Sequence, residues 1–207
     1  PDVRFSMSLD GRLLRQWTVS PQPGFFLDLS TLPPGTLAGE GFARLEFTAE
    51  AADGSGRPVR AAIEQFDLQP LDRVVMGADE GWHEAEFAPA AGLSWRWTSD
   101  RATLRALAPA GQPLAFTLRG ESPLSYFERP PAVRVLACDR EIGRFSPSSD
   151  FSELVAVPAG ALEPCGGRVT VLTDATFVPD ERTGNGDRRR LGLRIFEASL
   201  RPGTGNR

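Results

Sequence analysis

Val133-Arg-Val-Leu-Ala, residues 133–137, is followed by Cys138-Asp-Arg-Glu, residues 138–141. The first five residues alternate, so their apolar side chains share one face of a strand, and the next four read as a hairpin turn. The same order occurs near the start of the chain, where Val3-Arg-Phe precedes Leu9-Asp-Gly-Arg. Trp17 then matches Phe145 as the apolar end of the returning strand. An extended run into a Pro/Gly elbow comes next, Leu27-Asp-Leu…Pro34-Gly-Thr-Leu against Leu154-Val-Ala-Val-Pro-Ala-Gly-Ala-Leu. Leu45-Glu-Phe-Thr matches Val169-Thr-Val-Leu-Thr, and Asp53-Gly-Ser-Gly-Arg matches Thr183-Gly-Asn-Gly-Asp. The series closes with Ile63-Glu-Gln-Phe-Asp-Leu-Gln-Pro against Ile195-Phe-Glu-Ala-Ser-Leu-Arg-Pro. An internal repeat of β units is the reading of this order.

Further alternating runs stand at Leu114-Ala-Phe-Thr-Leu and Arg168-Val-Thr-Val-Leu, separated by Gly/Pro clusters. No stretch keeps a helical period over three turns without Pro or Gly. The chain is therefore expected to be all-β, built as sandwiches or barrels. Two tandem units are predicted. Residues 73–207 form a complete β-sandwich of eight or so strands with a short polar tail. Residues 1–72 form the back half of one, incomplete at its N-terminus. A half sandwich leaves its inner face bare, so the first unit is expected to pack against a missing N-terminal half-domain or another chain.

Composition narrows the chemistry. The 207 residues hold 41 % hydrophobic and 24 % charged side chains, the balance of a globular protein. All 23 basic residues are arginine, and there is one histidine, His83, and one tyrosine, Tyr126. A net charge of −4 offers no electrostatic footprint for nucleic acid, and no nucleic-acid partner is expected. No apolar run approaches the length of a membrane-spanning helix. The chain begins at Pro1 and not at a methionine, so the lack of a leader carries no weight. Cys138 and Cys165 read equally well as one disulfide across 27 residues, which requires an oxidising compartment, or as two buried thiols.

The densest aromatic and polar region is Gly81-Trp82-His83-Glu84-Ala-Glu86-Phe, followed by Leu93-Ser-Trp95-Arg96-Trp97-Thr. Trp95 and Trp97 fall on one face of a strand, either as core or as a flat platform for a sugar ring. Trp82, beside a glycine and carboxylates, reads as the more exposed of the three. These tryptophans with His83, Glu84 and Glu86 are the candidate ligand-binding residues. Asp180, Asn185 and Asp187 offer hard oxygen ligands in a Gly-containing loop, yet Arg182 and Arg188 oppose a cation, so no metal is expected. No cofactor is expected either, since no Gly-rich phosphate loop opens a helix.

Gly81-Trp82-His83-x-x-Glu86 with Trp95-Arg96-Trp97-Thr98, and Asp174-x-x-Phe177-Val178-Pro179 with Asp187-x-Arg189-x-Leu191-Gly192, resemble a β-sandwich module appended to bacterial membrane glycosyltransferases and related envelope proteins. The resemblance covers residues 74–202 and reaches 1–72 only through the repeat. It implies a jelly roll of the galactose-binding-like type, outside the cytoplasm, on a membrane-anchored parent chain. A non-catalytic module that binds glycan or serves a glycan-assembly enzyme is the expected function. A purely structural or protein-interaction module is the first alternative. A glycoside hydrolase, which would need His83 or two converging carboxylates, is the second.

Overall fold

A computed structural model describes residues 2–21, 26–37 and 42–203. The short polar tail at 204–207 lies outside the described residues. The chain is nearly all-β, with thirteen antiparallel strands and one short α-helix among the described residues. It divides into two compact units, Pro1–Asp67 and Leu68–Arg207.

The second unit holds ten strands: β4 (Val75–Ala78), β5 (Glu86–Ala88), β6 (Leu93–Trp97), β7 (Arg101–Leu107), β8 (Leu114–Glu121), β9 (Val133–Ala137), β10 (Arg140–Phe145), β11 (Asp150–Val157), β12 (Arg168–Thr173) and β13 (Arg194–Pro202). They form two five-stranded sheets, ordered β10-β9-β12-β7-β4 and β11-β8-β13-β6-β5. From β6 onward the chain changes sheet at each step except the β9–β10 hairpin, which is jelly-roll connectivity. Alternation sets the core. Leu114, Phe116 and Leu118 of one sheet and Val133, Val135, Val169 and Val171 of the other are buried in a single apolar cluster. Their polar neighbours in sequence point the opposite way, as a half-buried strand requires.

Cys138 and Cys165 form a disulfide, with their Cα atoms 5.5 Å apart. It ties the β9–β10 turn to the 3-10 turn Glu163–Cys165 that leads into β12. Gly167, at φ +85°, follows it. A Cβ there would meet the Ala106 carbonyl oxygen at 1.8 Å, so no other residue fits this close approach to β7.

The first unit holds β1 (Val3–Leu9), β2 (Arg12–Val19) and β3 (Leu45–Ala51), ordered β2-β1-β3. This is the order of β10-β9-β12. The bonds at the turn coincide as well: the Asp10 N–H donates to the Arg44 carbonyl at 2.9 Å, and the Cys138 N–H to the Arg168 carbonyl at 3.0 Å. Asp10 and Cys138 both have positive φ, 48° and 54°. The turn match therefore sets Asp10 against Cys138, one residue away from the sequence alignment, which had paired the two aspartates. Backbone conformation, not side-chain identity, holds the equivalence. Phe5 packs on Trp17, Phe26 and Phe47, with ring centroids 6.0 to 6.2 Å apart. The Trp17–Phe26 contact of 5.2 Å parallels Phe145–Phe151 at 5.3 Å.

Two expectations fail here. Residues 27–29 and 63–70, aligned in the sequence with β11 and β13, are not strands. A strand needs a neighbour to pair with, and β11 and β13 both pair with β8. Among the described residues of the first unit there is no strand in that place.

Candidate functional site

The β11-β8-β13-β6-β5 sheet turns one face to the core and the other outward. On β13, Leu193 just before the strand and Ile195 within it are buried, so the intervening Arg194 points outward. Register carries this to β6, where Trp97 lies opposite Arg194, and to β5, where Glu86 lies opposite Trp95. Trp95 and Trp97 are half-buried residues of this outer face.

A continuous chain of contacts crosses the face. The Asp187 carboxylate accepts hydrogen bonds from Arg189 Nε, at 2.9 Å to Oδ1 and 3.2 Å to Oδ2, and from Nη2 at 2.7 Å. Arg189 Nη1 also donates to Glu86 Oε1 at 2.8 Å, and the Trp95 indole N–H donates to Glu86 Oε2 at 3.1 Å. The Arg194 guanidinium lies 3.9 Å above the centroid of the Trp95 ring and donates to Glu121 at 3.1 Å. Stacking of a cation on an indole is favourable, and the neighbouring carboxylates hold the arginine in place. Trp97 meets Phe177 edge-on at 5.7 Å, and Tyr126 stacks on Phe177 at 4.0 Å. A row of alternating donors, acceptors and flat rings results. Such a row has the groups to contact a polar molecule that also has an apolar face. Any molecule stacking on the Trp95 ring would have to share it with Arg194 or displace that side chain.

Asp187 is held at about 2, chiefly by the hydrogen bonds from Arg189 and against a partial desolvation, while the same pairing raises Arg189. The folded value lies below the ordinary 3.8, so the clamp's contribution is complete above about pH 4 and is lost as pH falls through about 2. An NMR titration of the Asp187 carboxyl carbon is expected to show that depressed midpoint. A midpoint at 3.8 or above would show that the clamp is not formed.

The other expected site residues are not links of this chain of contacts, although His83 is near enough to Asp187 to help lower the pKa of its carboxyl. Trp82, read as the most exposed tryptophan, packs against the core cluster and donates its indole N–H to the Thr103 carbonyl at 2.8 Å. Gly81, with φ +81°, lets the backbone turn in there: a Cβ would stand 1.7 Å from the Arg101 carbonyl oxygen. His83 places Nε2 3.1 Å from the Arg190 carbonyl oxygen, which only accepts, so Nε2 carries the proton. Glu84 is exposed. Asp180 Oδ1 accepts from the Gly186 N–H and Asn185 Oδ1 from the Asp187 N–H, so these oxygens serve the loop itself. Asp180 belongs to α1 (Pro179–Thr183), a single turn whose end meets this loop.

Arg194, Glu121 and Tyr126 were missed by sequence reasoning. Arg194 was findable in principle as an arginine alternating with buried leucine and isoleucine, but its contact with Trp95 comes from strand pairing alone. No protein-family model matches the chain, and no curated protein matches it either, so function is argued from these residues.

Proposed function

We propose that this protein is a non-catalytic β-sandwich module of an extracytoplasmic protein, and that the outer face of its second unit binds glycan as an accessory to glycan assembly. The observation that carries this reading is the row Glu86–Trp95–Arg194–Glu121. It offers an indole ring flanked by charged hydrogen-bonding groups, the combination that suits the apolar face and ring hydroxyls of a sugar. The Cys138–Cys165 bridge fits an oxidising environment. Among the described residues no helix is long and apolar enough to cross a membrane. The carboxylates of the row are engaged by arginines, Glu86 by Arg189 and Glu121 by Arg194, which favours recognition over glycosidase chemistry.

The test is a glycan array followed by titration calorimetry on the strongest hit. Trp95→Ala and Arg194→Ala are each expected to weaken binding about tenfold or more, as loss of a central aromatic or arginine contact does. An array with no retained glycan, or a Trp95→Ala variant that binds as well as the parent, would sink the proposal. The rival reading, a protein-interaction module without a small ligand, draws on the first unit, where Ile63 and Phe66 are 45 % and 53 % exposed.

A further inference from the structure

β3 is the last strand of its sheet, and among the described residues it pairs with β1 alone. The Asp10 N–H donates to the Arg44 carbonyl, and the Ala52 N–H to the Asp2 carbonyl, at 2.9 Å each. These bonds place the hydrogen-bonded pairs at even positions of this antiparallel ladder. The N–H and C=O groups of Leu45, Phe47 and Ala49 therefore face the open side. In the second unit the corresponding strand, β12, does not end its sheet. Val169 and Val171 of β12 stand opposite Leu104 and Ala102 of β7. The turn match of Arg44 with Arg168 sets Leu45 and Phe47 in the places of Val169 and Val171.

We infer that the open edge of β3 accepts an antiparallel β-strand from a partner, in the position that β7 holds in the second unit. Main-chain bonds supply the attachment, and alternate side chains supply the selectivity. The second unit shows what covers such an edge: a strand with Ala102, Leu104 and Ala106 buried and Arg101 and Arg105 on the other face. The first unit suits the same chemistry. Its inner face at this edge holds Phe47, 5.5 Å from the half-exposed ring of Phe66. Its outer face carries Glu46 and Glu50, each already ion-paired within the unit, with Arg44 at 2.6 Å and Arg4 at 3.0 Å, so this face is polar and close to neutral. A cavity of about 430 Å³ opens at the end of the edge, between Ala49 and Ala51 on one side and Gly56, Pro58 and Val59 on the other. The occupant is therefore a strand of the β7 pattern, with small or aliphatic residues on the side of Phe47 and polar residues on the other. This inference stands apart from glycan binding, which uses the other unit.

The probe is a synthetic peptide of residues 99–109, Ser-Asp-Arg-Ala-Thr-Leu-Arg-Ala-Leu-Ala-Pro, added to the full chain and followed by amide hydrogen exchange and NMR. Saturating peptide is expected to slow exchange of the Leu45, Phe47 and Ala49 amides at least about tenfold. Ala49→Pro removes an outward N–H and leaves the β1–β3 bonds intact, so it should weaken the peptide about tenfold. The same peptide N-methylated at the positions of Ala102 and Leu104 should not bind, which keeps the test sound if the proline variant folds poorly. No saturable protection, or equal protection by a scrambled peptide, overturns the inference. Protection that rises with protein concentration alone, with a dimer mass in light scattering, assigns the edge to a second copy and overturns it too.

Discussion

Phe116→Ala is expected to destabilise the second unit by about 3–5 kcal/mol, the range for removing a large aromatic ring from a closed core. Phe116 is fully buried at the middle of β8, which lies between β11 and β13. Its cross-strand neighbours are Val155 and Leu200, both buried, and the facing sheet contributes Val135 and Val171 to the same cluster. Hydrogen bonds on both sides hold β8 in place, so the strands cannot close over the cavity, and the loss should fall at the upper end. Urea denaturation followed by tryptophan fluorescence measures it, because Trp82, Trp95 and Trp97 all report on this unit. A loss under about 1.5 kcal/mol would mean that the site collapses freely and that the core is not packed as described. The variant also bears on the candidate site, since β13 carries Arg194 and is paired to β8.

Removal of the disulfide ranks second. Cys138→Ser with Cys165→Ser, or reduction of the parent, is expected to cost about 3.5 kcal/mol, from the loop entropy of a 27-residue separation. A unit of this size should then melt roughly 10 °C lower. The bridge fastens the β9–β10 turn beside the start of β12. The first unit fastens its matching turn differently: the Asp10 carboxylate accepts the Arg44 N–H at 2.8 Å. Reduction should therefore move only the second unit's transition. Scanning calorimetry with and without reductant separates the two. Equal shifts in both transitions, or none, would contradict the assignment of the bridge to one unit.

Much of the architecture was legible because its signal is local. Leu114–Leu118, Val133–Ala137 and Arg168–Leu172 alternate, and all three lie in strands with their apolar residues in the core. The shared order of β2-β1-β3 and β10-β9-β12 rests on the same local signal, with a one-residue shift at the turn, where Asp10 and Cys138 adopt the same conformation with different side chains. The row on the outer face was only half visible. Trp95, Trp97 and Glu86 stand close together in sequence, but Arg194 and Glu121 reach them through β13 and β8. Trp82 packs against the core although its neighbours in sequence are polar, because the bridge between Trp82 and Thr98 sets its place.

Period-two patterning and turn residues were thus enough to make this an all-β chain with a sandwich in its second part, since each strand writes its own buried face into its own residues. Which of those patterns became strands was decided only by tertiary structure. Residues 27–29 and 63–70 carry the apolar spacing of β11 and β13 and still are not strands, while β11 and β13 lie on either side of β8. A strand is completed by its neighbour's hydrogen bonds, and that neighbour is not written in the segment itself. The same physics put Arg194 over Trp95 and left β3 with an open edge.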